Sequence, residues 1–174
     1  RNYLVSSIGD LKRKTICILD QIFPEYESVF SNIFGKTSKE ILLHFSSPAE
    51  FESITSEQLE TALEQVSFKK FASKKISCIS NIAKTSFGIT FGLQSLTLQL
   101  KLLIQQINFI EQQVHDVEIQ IKQLLHKINT PITTIPGIGD IIGATILGEI
   151  GDIERFSNPS KLVAYAGIDA SVHQ

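Results

Sequence analysis

Between residues 93 and 128 one pattern outweighs every other in the chain. Leu93, Leu96, Leu100, Leu103, Ile107, Ile110, Val114, Val117, Ile121, Leu124 and Ile128 alternate spacings of three and four without a break. That period holds one stripe on one side of a helix for heptad after heptad, the signature of an amphipathic helix with a coiled-coil seam. A helix over about 91–128 would run roughly 50 to 55 Å at about 1.5 Å per residue. One seam position shifts towards β-branched residues while Leu96, Leu103, Ile110, Val117 and Leu124 hold the other, a mixture that leans towards two strands. Gln99, Gln106, Gln113 and Gln120 flank the seam and select neither partner nor orientation by charge. Leu96, Leu100, Leu103, Ile107, Ile110, Val114, Val117 and Ile121 are therefore expected to carry homo-oligomerisation. Packing inside the chain, against a second stripe, is the alternative, and Ile104 and Leu125 widen the apolar face enough for more than one neighbour.

The second stripe is at the other end of the chain. Leu4, Ile8, Leu11, Thr15, Ile18 and Ile22 share one face of a helix, which Phe23-Pro24 ends because proline disfavours helical geometry in the residue before it. Short helices should follow. One starts after Thr37 or Ser38 and carries Ile41, Leu42 and Leu43. Another follows Ser47-Pro48, and a third begins at the capping box Thr55-Ser-Glu-Gln58. Residues 66 to 90 predict another helix and a turn near Gly88. Asn129-Thr130-Pro131 restarts a helix, a glycine hairpin follows, and helices over about Asp140–Ile150 and from Asn158-Pro159 to Gly167 complete the chain. The expectation is an all-α fold: a helical region with a long coiled-coil helix over residues 1–128, then a small helix-hairpin-helix-like domain over 129–174.

Composition excludes several classes of function. The net charge is −2 and the pI about 6.1, unusual for a free-standing DNA-binding domain. Cys17 and Cys78 match neither a metal spacing nor a disulfide framework, so a reducing, cytoplasmic setting is expected. No signal peptide is visible, and the most apolar stretch, Phe87 to Ile110, is interrupted by Gln94, Gln99, Lys101, Gln105, Gln106 and Asn108, so no membrane span is expected. The chain opens on Arg1 and contains no methionine, so its first residue is not expected to be a native start.

Two constellations could meet nucleic acid. In Ile135-Pro136-Gly137-Ile138-Gly139 the glycines permit positive φ and remove side chains. Backbone N–H groups around Gly137, Ile138 and Gly139 can then face a phosphate at the start of the next helix. The competing reading is a tight turn between packed helices, with Gly143 and Ala144 allowing close approach, and Asp140 and Glu149 stand where a basic neighbour would be expected. In Phe68-Lys69-Lys70-Phe71-Ala72-Ser73-Lys74-Lys75 four lysines and two aromatics could grip a phosphate backbone, or could form a solvated helix face over buried phenylalanines. His115 and His126 share a helix face but stand roughly 16 Å apart along it, too far for one metal. Asp140, Glu149, Asp152, Glu154 and Asp169 show no spacing that implies convergence, and Ser171 with His173 is weak as a nucleophile and base. Walker, zinc and dinucleotide motifs are not present in the sequence.

The ordered series Thr134-Ile-Pro-Gly-Ile-Gly139, Ala144-Thr-Ile-Leu-Gly-Glu-Ile-Gly-Asp-Ile153, Arg155-Phe156-Ser157 and Leu162-Val-Ala-Tyr-Ala-Gly-Ile-Asp-Ala-Ser-Val-His-Gln174 resembles one family. It looks like the C-terminal domain of the bacterial insertion-sequence transposases that include the Piv-type invertases and the bridge-RNA-guided recombinases. The likeness covers residues 130 to 174. Phe23-Pro-Glu-Tyr-Glu-Ser-Val-Phe30 is more weakly similar to the linker before the coiled-coil region of the same family.

The resemblance implies a parent enzyme that cleaves and rejoins DNA strands. A RuvC-like domain with four metal-binding acids, expected before Arg1, would hold a divalent metal, magnesium by expectation. A nucleophilic serine in a Ser-Gly pair is expected just past Gln174. The residues of this chain would then supply no catalytic group, no metal ligand and no cofactor site, and the piece alone is expected to be inactive. Its partners would be DNA, a guide RNA in the bridge-RNA members, and a second copy of itself. A plain helix-hairpin-helix DNA-binding module and a coiled-coil scaffold protein are the alternatives.

Overall fold

The structure is a computed structural model and describes residues 1–55 and 69–167, the side chains of residues 69–73 excepted. Every regular element among them is helical: α1 (Asn2–Ile22), α2 (Lys36–His44), α3 (Pro48–Glu52), α4 (Lys69–Ala83), α5 (Leu93–Ile128), α6 (Asp140–Ile150) and α7 (Pro159–Tyr165), with 3-10 turns at Pro24–Val29, Pro131–Thr134 and Ile153–Arg155. The all-α class follows directly. The chain divides into two compact units, Arg1–His115 and Asp116–Gln174. No helix among the described residues is long and apolar enough to cross a membrane.

In the first unit the stripe of α1 deepens along its length. Leu4, Ile8 and Leu11 are half-buried, and Thr15, Ile18, Leu19 and Ile22 are buried. Phe23 leaves helical geometry, and Pro24 opens a 3-10 turn that carries Tyr26 inward. Tyr26 is fully buried and its hydroxyl reaches the Ser38 carbonyl at 3.1 Å and the Ser38 hydroxyl at 3.0 Å. Burial pushes the phenol above its ordinary pKa, and the Ser38 hydrogen bond opposes that shift. Phe23, Tyr26, Phe45 and Phe51 surround this point with tilted rings whose centroids lie 5.6 to 6.4 Å apart.

The start of α2 differs from expectation. The helix begins at Lys36 with Gly35 as its uncapped N-terminal residue, so Thr37 and Ser38 fall inside its first turn. Ser38 is bound by Tyr26 and turned into the core, which removes it from capping. The expected start of α3 holds: Ser47 and Glu50 form a reciprocal capping box ahead of Pro48. The box anticipated at Thr55–Gln58 includes residues that lie outside those described.

The long helix α5 starts at Leu93, just after Gly92, which takes a positive φ of 70°. Ile89 N–H donates to the Gln21 carbonyl at 2.8 Å, so the end of α1 lies beside the approach to α5. Further along, Lys12 meets Glu111 at 3.4 Å, so the two helices run antiparallel. Lys39 of α2 binds the same Glu111 carboxylate and ties a third helix to it. Leu100, Leu103 and Ile104 join Ile18, Leu19, Ile22, Phe23, Tyr26 and Phe51 in one hydrophobic cluster. The α1 stripe therefore does cover part of the heptad stripe from within the chain.

The loop that joins α4 to α5 is pinned at three points. The Glu25 carboxylate accepts from the Ser86 hydroxyl at 2.8 Å and from Phe87 N–H at 3.1 Å. Ile89 is held on Gln21, and between them Gly88 passes so close to α1 that an added Cβ would stand 2.0 Å from the Ile22 carbonyl oxygen. Backbone cannot yield as a flexible side chain would. Gly88→Ala should lower stability by about 1–3 kcal/mol. Gly148 of α6, whose Cβ would meet nothing within 4 Å, should gain about 0.5–1 kcal/mol on change to alanine. Urea titration of both variants tests the contrast, and equal effects would discard it. Tyr26→Phe, which strips the Ser38 carbonyl and hydroxyl of their buried partner, should cost about 1–2 kcal/mol in the same titration.

Candidate nucleic-acid interface

In the second unit the hairpin is built from a turn that its sequence specifies. Asn129 follows α5 with a positive φ of 50°, and Thr130 caps a single 3-10 turn over Pro131–Thr134. The α-helix expected after Thr130-Pro131 does not form. Pro136 disfavours helical geometry at Ile135, and the two threonines before it add little helix propensity. Ile138 N–H then returns to the Ile135 carbonyl at 3.0 Å, with Gly137 at φ 89°. Proline at the second position and a left-handed glycine at the third make this a type II turn.

Gly139 follows as the N-terminal cap residue of α6, and no side chain caps the helix. The N–H groups of its first turn are left to water or to a ligand. A Cβ built on Gly137 or on Gly139 would meet nothing within 4 Å. Ile138 between them is half-buried, and Gly143 is buried one turn into α6, where a Cβ would come 3.0 Å from Ile132 Cγ2 and 3.6 Å from Ile138 Cγ2. The four glycine and isoleucine positions thus divide: Gly143 and Ile138 serve packing, and Gly137 and Gly139 leave backbone open on the outside.

The electrostatics of this segment oppose an anion. Across residues 129–174 Arg155 and Lys161 are the basic residues, against Asp140, Glu149, Asp152, Glu154 and Asp169. Asp140 sits in the first turn of α6, where it already complements the positive end of the helix. Arg155 lies 4.7 Å from the ring centres of both Phe156 and Tyr165, which are 5.4 Å from each other, and Tyr165 donates its hydroxyl to the Glu149 carbonyl at 3.2 Å. This cluster ties the 3-10 turn at Ile153–Arg155 to α6 and α7. Sequence reading passed over it, although an arginine next to one aromatic and a helix away from another was a visible signal.

The lysine run lies in the first unit, on α4. The side chains of Lys69 and Lys70 fall outside those described. Lys74 is exposed. Lys75 donates to the Val29 carbonyl and lies 5.3 Å over the Phe30 ring, so it closes the 3-10 turn after α1. Of the residues expected to carry oligomerisation, Leu100, Leu103 and Ile107 are buried, and Leu96, Ile110, Val114, Val117 and Ile121 are half-buried. Among the described residues no group of three or more His, Cys, Asp and Glu side chains could hold a metal ion. Asp169, Ser171 and His173 lie outside the described residues.

No curated protein and no solved structure matches the chain. Residues 129–174, the segment that forms the hairpin, match the model of the transposase IS116/IS110/IS902 family.

Proposed function

We propose that this chain is a part of an insertion-sequence transposase of the Piv-invertase and bridge-RNA kind, and that its share of the work is assembly and nucleic-acid contact. The family match over residues 129–174 is the observation that carries the reading. The parent would cleave and rejoin DNA strands, with an activated serine attacking a phosphodiester. The acids that hold a divalent metal would come from a RuvC-like domain ahead of Arg1, and the serine from a Ser-Gly pair after Gln174. Residues 1–128 would act as the helical and coiled-coil region, in which α5 brings two copies together, in the cytoplasm. Residues 129–174 would open the C-terminal domain.

Within that division of labour the hairpin is the candidate contact with DNA or a guide RNA. The exposed backbone at Gly137 and Gly139 and the uncapped start of α6 support it. The burial of Gly143 and the acidic surroundings favour a second reading, in which the turn only packs helices together. Lys74 is the one described lysine of the α4 run that faces solvent without a partner inside the fold assigned above, and it would add a second, weaker contact.

Sequencing the gene on both sides of the region encoding this chain tests the enzyme reading. A Ser-Gly pair directly after Gln174 and a four-acid domain upstream are expected. A frame that closes at Gln174 with neither would leave a binding or scaffold protein.

Gly139→Asp separates the two readings of the hairpin. Aspartate is a good N-cap and meets no neighbour there, so the fold should be unchanged or a few tenths of a kcal/mol more stable. It would also place a carboxylate on the donors a phosphate needs. The phosphate reading expects DNA affinity of the full parent protein to fall about tenfold or more, read by fluorescence anisotropy at fixed salt. Unchanged affinity with an intact thermal melt would leave the hairpin as a packing turn.

A further inference from the structure

The heptad seam is not the only apolar stripe on α5. Leu98 is 59% exposed, Leu102 47% and Phe109 65%, and Phe91, in the turn that opens the helix, is 93% exposed. Leu100, by contrast, is fully buried. Two residues turn an α-helix by about 200° and nine bring it to about 180°, so Leu98, Leu102 and Phe109 all lie on the side opposite Leu100. This side carries large apolar groups to solvent while the other side fills the core of the first unit.

The exposed set has an internal symmetry. Leu98 and Leu102 stand two residues either side of Leu100, Ser95 and Gln105 five, and Phe91 and Phe109 nine. Laid antiparallel against an identical stripe about a two-fold axis at the level of Leu100, each apolar residue meets an apolar one and each polar residue a polar one. Leu98 meets the partner's Leu102, Ser95 meets the partner's Gln105, and Phe109 reaches the helix start that displays the partner's Phe91. That is the reciprocal pairing a closed two-fold dimer requires. A parallel pair would need no such palindrome, and it would set the two helix dipoles side by side in the same sense.

Charge selects the same occupant. From Thr85 to Ile110 the one charged residue is Lys101. Its ammonium lies between the His44 carbonyl at 3.4 Å and the Glu50 carboxylate at 3.9 Å, on the core side. Along α5 itself a nucleic acid would find no cations on this stripe, and at the Phe109 end, where α1 borders it, Lys14 is offset by Asp10. We infer that the solvent face of α5, through Leu98, Leu102, Phe109 and the adjoining Phe91, binds a second copy of this chain in antiparallel register. The inference rests on the self-association reading above and assigns it to the face opposite the heptad seam. Leu100, Leu103 and Ile107, which the seam would have used, are already buried within the chain.

The test uses the whole chain. Light scattering should give twice the monomer mass of 19.3 kDa for the unaltered protein. Leu98→Glu with Leu102→Glu should return it to the monomer mass with an unchanged circular dichroism melt, because both side chains are already exposed. A dimer that survives both changes would overturn the assignment of the face and leave self-association standing. A monomer from the start would overturn both.

Register is read by crosslinking in a background where the exposed Cys17 and Cys78 are replaced by serine. Ser95→Cys combined with Gln105→Cys should give a covalent dimer under mild oxidation, and either change alone should not. Covalent dimers from the single variants would overturn the antiparallel register. No covalent dimer from the double variant would overturn it as well.

Discussion

The apolar stripe of α5 has to be covered by something, and Leu100, Leu103 and Ile104 find their cover in the same cluster as Ile18, Leu19 and Ile22 of α1. Hydrophobic burial of this kind has no direction of its own. Its orientation comes from the polar groups around it. Glu111 receives Lys12 and Lys39 and so sets the level at which α1, α2 and α5 meet. At the other end the Glu25 carboxylate and the Gln21 carbonyl hold the loop into α5. Gly88 is the consequence: the loop can be pinned that closely to α1 only if one residue has no side chain.

Much of this was legible from residue order. The stripe of α1, its end at Phe23-Pro24, the Ser47-Pro48 start of α3, the turn near Gly88, and α6 and α7 all follow from local rules that the structure leaves intact. The misplaced elements are those where a second signal competed with the local cap. Ser38 has the chemistry of a cap, yet Tyr26, twelve residues earlier, engages its hydroxyl and draws it into the core. The helix after Thr130 has cap and proline in order, but Pro136 leaves it room for one turn only.

The site was less legible than the fold, for a different reason. The glycines of the hairpin announce a turn with open backbone, and the turn is there, with Gly137 in the left-handed region. What a turn of this kind holds is decided by the charge that surrounds it, and composition in a single segment reports that charge only as a balance. Arg155 illustrates the gap. It counts as a cation in the sequence, but the ring centres of Phe156 and Tyr165 both lie 4.7 Å from it, so part of it is engaged by aromatic contact. Lys75 is a stronger case, because its ammonium closes a backbone carbonyl and an aromatic ring of its own unit.

A heptad count shows that a helix has an apolar side, and it is silent on who covers it. In α5 the regular seam reads as an interface between copies, yet its middle is spent on α1 and the core. The irregular stripe on the far side was hidden by its own irregularity. Glutamine at 105 and serine at 95 interrupt it, and Phe91 precedes the helix altogether. Exposure reveals that stripe where periodicity does not. A helix packed on one side by its own chain can meet another copy only with the other, so the proposed self-association would depend on Leu98, Leu102 and Phe109. Strength of pattern and exposure of face are thereby separated: the strong pattern builds the fold, and the weak one stays at the surface.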